Sequence, residues 1–364
     1  MKKKELLVPV GTMEALHQAI HNGADAVYLG GKQFGARKFA DNFSEEEMIE
    51  AISLCHLYGV KIYVTVNTLI YDEEVESFLE YIKFLYLYHV DAVIMQDFGM
   101  ICLVRECFPD LEIHASTQMH NQNQQGLSFL QKLGVKRVVL ARELSLEEIE
   151  NLKVDMELEV FVHGALCICY SGCCLFSSMI GGRSGNRGEC AGSCRLPYQL
   201  LEDGKVVSTE GKYLLSPKEL NTSHYFERLM ESNITSFKIE GRMKSPAYVG
   251  LVTKFYRNLI DQYEQNKKIV VPQELENELK TLFYRQFTKG YLFQEDNHQL
   301  MNIKSPNHIG IKIGRVIEVT SSYIKILLSS DLAQEDGIRF LESGKGMIVN
   351  FLYDQNHRLI HEAK

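Results

Sequence analysis

Along the first 240 residues, short apolar runs alternate with longer runs whose apolar positions recur with helical spacing. The apolar runs show no clean alternation of apolar and polar residues, which is typical of strands buried on both faces of a parallel sheet. Eight such runs occur, at residues 6–9, 26–30, 61–66, 92–96, 111–115, 137–141, 158–163 and 236–240. Eight strand–helix units in about 260 residues match the size of a (β/α)8 barrel. The sequence therefore predicts an α/β fold built on a TIM-type barrel.

The alternative is an open, doubly wound parallel sheet. Such a sheet often carries a G-x-G-x-x-G pattern in its first strand–helix turn. The corresponding segment here, VPVGTMEA, lacks it, which favours the barrel. Polar residues at the starts of the helical runs support the unit boundaries because their side chains can cap a helix. The predicted caps are Thr12, Ser44 with Glu47, Asp72, and Ser145 with Glu148.

The seventh unit departs from this rhythm. Residues 164–235 separate the seventh strand from the eighth and hold six of the nine cysteines, a Gly/Arg-rich stretch and a hairpin-like stretch at 200–215. Insertions that follow a barrel strand lie at the C-terminal mouth of the barrel, where active sites are found. We therefore predict a barrel over 1–264 that includes a cysteine-rich insertion at 164–235.

The pattern changes again after the eighth strand. Helical spacing at 248–263 and 275–287 predicts two helices, with a polar stretch between them. From about residue 301, short β-type runs alternate with Gly, Asp and Ser turns, which indicates a small all-β domain. We expect a helical linker at 265–300 and a β domain at 301–364.

Charge and hydropathy narrow the function classes. The chain carries 39 Lys and Arg against 47 Asp and Glu, a formal net charge of −8, which argues against a protein that coats nucleic acid non-specifically. Residues 236–258 are a local exception, with five cations and one anion. No run approaches the roughly 18 to 20 apolar residues of a membrane span, and MKKKELLVPV lacks the apolar stretch of a signal peptide. We expect a cytoplasmic protein with no membrane partner.

The cysteines are clustered. Nine are present, an odd total that argues against a disulfide framework. Soft thiolate ligands select zinc, copper(I) or iron–sulfur clusters. The spacing C-x6-C-x15-C-x3-C leaves both iron–sulfur and zinc open, because structural zinc sites usually show two close pairs. A redox role for the adjacent Cys173 and Cys174 is a further alternative. The six clustered cysteines are Cys167, Cys169, Cys173, Cys174, Cys190 and Cys194.

Polar residues end or follow most of the predicted strands, which would place them at the barrel mouth. They are Asn67, Gln96, Asp97, Ser116, Thr117, Gln118, Arg142, Glu143, His163, Lys238, Glu240, Arg242 and Lys244. As catalytic groups we predict His163, Glu143, Lys238 and Glu240. As substrate-binding groups we predict Asn67, Gln118, Arg142, Arg242 and Lys244, since arginine forks match a carboxylate ligand. Capping or ion pairing is the alternative for each, and an internal Lys238–Glu240 pair is the simplest such alternative.

The segment ELEVFVHGALCICYSGCCLF resembles the signature of the collagenase-like peptidase family U-32. The motifs LLVPVGTMEALHQAIHNGADAVYLGGKQFGAR, HASTQMHNQN, VVLARELSLEEI and SFKIEGRMKSPAYV also resemble the family and occur in order along the chain. Phe176 departs from the pattern, which usually has an aliphatic residue there. The matching signature positions are Glu159, Phe161, Gly164, Ala165, Leu166, Cys167, Gly172, Cys174 and Ser177.

This resemblance implies a hydroxylase more than a peptidase. The better characterised branches of the family are implied to be oxygen-independent hydroxylases of tRNA wobble uridine, of an rRNA cytidine or of the ubiquinone ring. Prephenate is implied as a co-substrate of the tRNA branch. Peptidase motifs such as H-E-x-x-H and G-x-S-x-G are absent. A [4Fe-4S] cluster, with zinc as the alternative, is implied on Cys167, Cys174, Cys190 and Cys194, and Cys169 and Cys173 fall outside the matched pattern.

These features predict an RNA nucleoside hydroxylase, with tRNA wobble uridine as the favoured target. The target base would be flipped out of its stack into the barrel mouth. We expect tRNA or rRNA as the partner, a small carboxylate as co-substrate, and either a partner protein or a homo-oligomer. A U-32 peptidase and a non-catalytic, metal-stabilised RNA-binding scaffold are the alternatives.

Overall fold

In the computed structural model, which describes residues 3–341 and 343–363, eight parallel strands close into a barrel. Each strand pairs in parallel with the next, and the eighth pairs with both the first and the seventh. The predicted TIM-type barrel is therefore confirmed, and the open doubly wound sheet is excluded. The strands β1 to β8 are Glu5–Pro9, Ala26–Leu29, Lys61–Val66, Ala92–Met95, Ile113–Ala115, Arg137–Val139, Glu157–Ala165 and Ser236–Ile239.

Helices surround the strands and begin at most of the predicted caps. Thr12 Oγ1 accepts a hydrogen bond from Ala15 N at 3.2 Å, and both predicted capping boxes form. Asp72 is an exception, because it starts a 3-10 turn and the helix follows only at Val75. The helices α1 to α8 around the barrel are Met13–His21, Glu45–Leu57, Val75–Leu87, Phe98–Cys107, Gln124–Lys132, Leu146–Glu150, Phe226–Glu231 and Pro246–Asn266.

The cysteine-rich insertion lies between β7 and α7, as predicted. Its strand Glu219–Asn221 pairs antiparallel with the C-terminal end of β7, and Phe287–Thr288 pairs in parallel with that strand. The barrel sheet thus extends sideways at this point. Its other elements are the helix Phe176–Gly181, the 3-10 turns Gly185–Arg187, Ser193–Arg195 and Ser223–Tyr225, and the hairpin Leu200–Glu202 with Lys205–Val207.

The chain divides into two compact units, of which the first ends at Asn307 and the second begins at His308. The first unit includes the segment predicted as a linker. There, helix Gln273–Leu282 buries Leu279 in the main hydrophobic core, and Tyr291–Phe293 and Asn297–Leu300 form further helical turns.

The second unit is all β, as predicted. It consists of short antiparallel pairs: Gly314–Val319 with Ile324–Leu328, Leu332–Ala333 with Glu362–Ala363, Gly337–Arg339 with Gly346–Ile348, and Leu352–Tyr353 with Leu359–Ile360. Across the described residues of both units, no helix has the length and apolar character needed to cross a membrane.

A network of buried charged side chains lies among the barrel strands. Lys238 Nζ donates to Glu159 Oε1 at 2.8 Å, and Arg137 Nη1 lies 3.3 Å from Glu159 Oε2. Arg137 also bonds to Glu5 and Glu157. Burial raises the pKa of Glu159, but Lys238 and Arg137 outweigh that effect and hold the pKa at about 2. The Lys238–Glu240 pair expected as the simplest alternative does not form: Lys238 bonds to Glu159, and Glu240 faces Arg37 instead.

Replacing Glu159 by Gln should lower the free energy of unfolding by about 3–5 kcal/mol, because it leaves the buried Lys238 without its anion and removes one of the carboxylates around Arg137. The matched control is Glu157→Gln, whose carboxylate also bonds to Arg137 but is 24% exposed, and we expect it to cost less. Urea denaturation at pH 7 measures both variants. Equal stability of Glu159→Gln and the wild type would contradict this prediction.

The stabilisation that the Glu159 carboxylate provides also depends on pH. A folded-state pKa near 2 lies below the ordinary value of 4.5, so the stabilisation from Glu159 is fully present above pH 4.5 and is lost as the pH falls towards 2. The stability difference between the wild type and Glu159→Gln should therefore shrink over that range.

Candidate active site at the barrel mouth

A cavity with about 710 Å³ of atom-free space, part of it open to solvent, lies at the C-terminal ends of the barrel strands. Strand ends and the loops that follow them supply its walls, which is where the sequence placed the site. Ser116, Thr117 and Cys167 also line the cavity. The predicted catalytic and substrate-binding residues that line it are Asn67, Gln118, Arg142, Lys238, Glu240 and Arg242.

Glu240 is the carboxylate of this cavity. Its Oε1 lies 3.4 Å from Arg37 Nη2. Burial raises the pKa of Glu240, but the nearby cations, led by Arg37 and Arg142, outweigh that effect, so the pKa lies below its usual range. Glu240 is therefore ionised at neutral pH and accepts hydrogen bonds. Arg37 was missed as a site residue because it lies in the loop after β2 rather than at a strand end, although the family-like opening segment ends on it.

Arg242 is built into the wall beside Glu240. Its Nη1 donates to Thr65 Oγ1 at 3.0 Å and its Nη2 to Asn42 Oδ1 at 2.7 Å. Burial lowers the pKa of Arg242 to about 10, so the side chain stays charged at neutral pH. Gly30 makes room for this guanidinium, since a Cβ there would lie 2.5 Å from Arg242 Nη2.

Arg142 forms a second cationic wall. Its guanidinium stacks on the ring of Phe161, with 4.2 Å between Cζ and the ring centroid, and Nη1 donates to the carbonyl of Ala165 at 2.6 Å. Nε is buried and makes no hydrogen bond with the described residues. Arg142 thus ties the loop after β6 to the end of β7, where the cysteine loop begins.

The cysteine loop is anchored to the barrel at Ser171 and Gly172. Glu143 Oε1 accepts hydrogen bonds from Ser171 N at 3.0 Å and from Ser171 Oγ at 3.1 Å. His120 Nδ1 lies 3.0 Å from the Ser171 carbonyl. Gly172 has φ +76° and approaches Gln118 so closely that a Cβ would lie 2.0 Å from its carbonyl oxygen. Glu143 thus holds the loop from outside the cavity lining, and its predicted catalytic role stays a prediction.

His163 and Lys244 also lie outside the cavity lining. His163 is buried among aromatic rings, with Nδ1 3.2 Å from Tyr256 Oη. Burial, together with Lys244, lowers its pKa to about 3, so the imidazole is neutral. Lys244 lies over the ring of Phe283, and burial lowers its pKa to about 8. The roles predicted for both residues stay predictions.

The four predicted cysteine ligands share one neighbourhood. Burial raises the pKa of Cys194, and Cys167, Cys190 and Cys174 raise it further by their charge while Arg195 lowers it. Cys190 Sγ lies 3.4 Å from Gly192 N, which donates to it. Among residues 3–341 and 343–363, however, no three His, Cys, Asp or Glu side chains converge as a metal site. The all-thiolate donor set fits an iron–sulfur cluster or zinc by its chemistry.

The two extra cysteines sit beside this set. Burial raises the pKa of Cys169, and a hydrogen bond with Cys174 acts in the same direction. Cys173 is exposed, and none of the nine cysteines forms a disulfide.

Comparison with known proteins decides the family. A family model described as Peptidase family U32 matches residues 11–302. The chain belongs to the U32 peptidase family. The resemblance found in the sequence motifs is therefore confirmed, and the matched region covers the barrel from the end of β1 onward together with the cysteine-rich insertion.

Relatives in the U32 family carry two kinds of name. The chain is 38% identical over 347 residues to the 23S rRNA 5-hydroxycytidine C2501 synthase of Escherichia coli, covering 93% of this chain and 52% of that protein. It is 43% identical to tRNA hydroxylation protein P1 of Bacillus subtilis, covering 72% of this chain and 64% of that protein. It is 37% identical to an uncharacterized protease of Methanocaldococcus jannaschii, covering 99% and 92%. The chain thus spans about half of the first relative and under two thirds of the second.

Gly172→Ala should loosen the cysteine loop of this U32 protein, because the new methyl group would meet the Gln118 carbonyl. The matched control is Gly182→Ala, where φ is also positive (+66°) but no atom lies within 4 Å of the added Cβ. The control should lose about 1–2 kcal/mol of stability from backbone strain alone.

The expected loss for Gly172→Ala is larger, and alkylation of Cys169 and Cys174 should accelerate. Urea denaturation and mass spectrometry of alkylated peptides measure the two effects. Equal losses in both variants, with unchanged alkylation, would show that the close approach does not hold the loop.

Proposed function

We propose that this chain is an RNA nucleoside hydroxylase that acts on a pyrimidine of tRNA or rRNA, with tRNA wobble uridine as the favoured target. The observation that carries the proposal is the match to two relatives named for RNA hydroxylation, one of which aligns with 93% of this chain. The cavity at the barrel mouth supports it, because a base must leave its stack to reach such a site.

The charges around the cavity suit an anionic substrate. Arg37, Arg142 and Arg242 line it together with the single carboxylate Glu240 and with Lys238, whose Nζ is engaged by Glu159. An RNA phosphate or a small carboxylate co-substrate such as prephenate would be attracted to this mouth. The arginines bind and orient, while the ionised Glu240 is the candidate group for accepting a proton from the substrate.

We further propose that Cys167, Cys174, Cys190 and Cys194 hold a [4Fe-4S] cluster, which would supply one-electron redox chemistry beside the cavity. Cys167 lines the cavity, so the cysteines border the place where a substrate would bind. Arg37 and Arg195 lie close enough to Cys167 and Cys194, respectively, for these cysteines to raise the pKa of each guanidinium. These arginines would offset the negative charge of the thiolates.

A peptidase is the weaker candidate. The family name and the archaeal relative's name point to it, and the Cys167 thiol would be its nucleophile. A cysteine nucleophile needs a base within hydrogen-bond reach. No histidine is found among the described residues that line the cavity.

Expression of the chain in an Escherichia coli strain that lacks its own U32 members should restore 5-hydroxyuridine in tRNA or 5-hydroxycytidine in 23S rRNA. Glu240→Gln should lower the yield at least tenfold, on the order of the loss of a proton-accepting group. Glu147→Gln on the exposed face of α6 is the matched control and should leave the yield unchanged. Mass spectrometry of digested RNA measures the products.

Absence of both hydroxylated nucleosides with soluble wild-type protein would overturn the proposed function. Cleavage of peptides that depends on Cys167 would favour the peptidase. RNA binding without any turnover would favour the scaffold.

Anaerobic purification should yield a brown protein with about four iron and four sulfide per chain. Changing Cys174 or Cys190 to Ser should remove most of the iron, because each supplies a ligand. Cys102→Ser is the matched control, since Cys102 is exposed and lies on α4, outside the insertion. Metal analysis and electron paramagnetic resonance measure the outcome. A colourless protein that contains zinc would refute the iron–sulfur assignment.

A further inference from the structure

The polar side chains that line the mouth cavity are almost all engaged by other groups of the chain. Asn67 Oδ1 accepts from Ala36 N at 3.1 Å, and its Nδ2 donates to Ser116 Oγ at 3.3 Å. Thr117 Oγ1 donates to the Leu140 carbonyl at 3.3 Å. These hydrogen bonds hold the cavity walls in place. Because the side chains that make them are already engaged, they are poorly suited to recognise a substrate.

Gln118 differs from its neighbours. Gln118 lines the cavity, and its side-chain amide makes no hydrogen bond with any residue that the structure describes. Its main chain, by contrast, is firmly placed. The backbone N donates to Ser116 Oγ at 3.1 Å, and Gly172 packs directly against its carbonyl. An amide that no other group engages is available to a ligand as donor and acceptor, and because the backbone is fixed, only the side-chain torsions are left to be ordered on binding.

Glu240 supplies a second free group. Oε1 interacts with Arg37 at 3.4 Å, while Oε2 makes no hydrogen bond within the described residues. The surrounding cations keep the carboxylate ionised, although burial opposes them. The cavity therefore presents one free amide and one free carboxylate oxygen.

We propose that Gln118 and Glu240 together hold the hydrogen-bonding edge of a pyrimidine base, with Glu240 Oε2 accepting from a base N–H and Gln118 Nε2 donating to the acceptor atom next to it on the same edge. Uracil offers N3–H beside O4, and cytosine offers N4–H beside N3, so both bases satisfy the pair. Recognition of unstacked bases by such edge contacts is common in RNA-binding proteins. The inference rests on the proposed function and names the groups that would bind its substrate.

The test compares Gln118→Ala and Gln118→Glu with Gln125→Ala, an exposed glutamine in the first turn of α5. The assay is the yield of 5-hydroxypyrimidine in the Escherichia coli strain that lacks its own U32 members. Both Gln118 variants should lose roughly ten- to hundredfold, the factor for a lost base-edge contact. Gln125→Ala should match the wild type.

Two readouts separate base contact from a merely structural role. Purified Gln118 variants should keep the wild-type melting temperature and should bind bulk tRNA from the deletion strain within about twofold, because phosphate contacts dominate affinity. Ultraviolet crosslinking of the wild type to that tRNA should attach a pyrimidine to the peptide that contains Gln118. If Gln118→Ala fails to fold, Gln118→Glu keeps the side-chain size and decides the question.

The outcomes also separate this inference from the proposed function. Wild-type activity with full yield from both Gln118 variants would overturn the base contact and leave the hydroxylase standing. No hydroxylated nucleoside from the wild type would overturn the hydroxylase itself, and with it this inference.

Discussion

The buried carboxylate of Glu159 is the interaction on which the barrel depends. It lies between Lys238 of β8 and Arg137 of β6, and Ser236 Oγ donates to it at 3.1 Å. No solvent reaches this carboxylate, so each charge needs its partner. The strands must keep the register that pairs Ser236 with Glu159, because a slip of one residue would turn these side chains away from the barrel axis. The register that closes the barrel is therefore also the register that pairs its buried charges.

The strands that hold these ion pairs also position the groups at the barrel mouth. Lys238 occupies the floor of the cavity, over the ring of Tyr28 at 4.4 Å, and Glu240 follows two residues later along the chain. Two residues beyond Glu159 on β7, Phe161 supports the guanidinium of Arg142. The positions of the groups at the mouth therefore follow from the ion pairs below them. A rigid scaffold of this kind places binding groups more accurately than loops alone.

Sequence patterns located the strands and much of the mouth, because burial on both faces and residues at strand ends leave local signals. They failed where long-range geometry decides. At His163 the register between β7 and β8 shifts, so that Lys238 lies opposite Phe161 but Ile239 lies opposite His163. Ile239 belongs to the core outside the barrel, and His163 accordingly packs against Tyr256 of α8. Strict alternation along β7 would instead place the His163 side chain on the same side of the strand as Glu159 and Phe161. Arg37 was missed for a related reason, since a loop brings it to Glu240 across 203 positions.

The net charge of −8 is compatible with the proposed RNA substrate because the charge is unevenly distributed. The cavity is lined by three arginines and Lys238 against one glutamate, while most acidic residues lie elsewhere on the chain. Lys238 already neutralises Glu159, and Arg37 already faces Glu240. The attraction left for a phosphate is therefore local to Arg142 and Arg242, and Arg242 is itself held by Thr65 and Asn42. Under the proposed function, such a mouth would draw in one nucleotide and its neighbours, and the acidic residues elsewhere on the chain would disfavour indiscriminate binding of long nucleic acids.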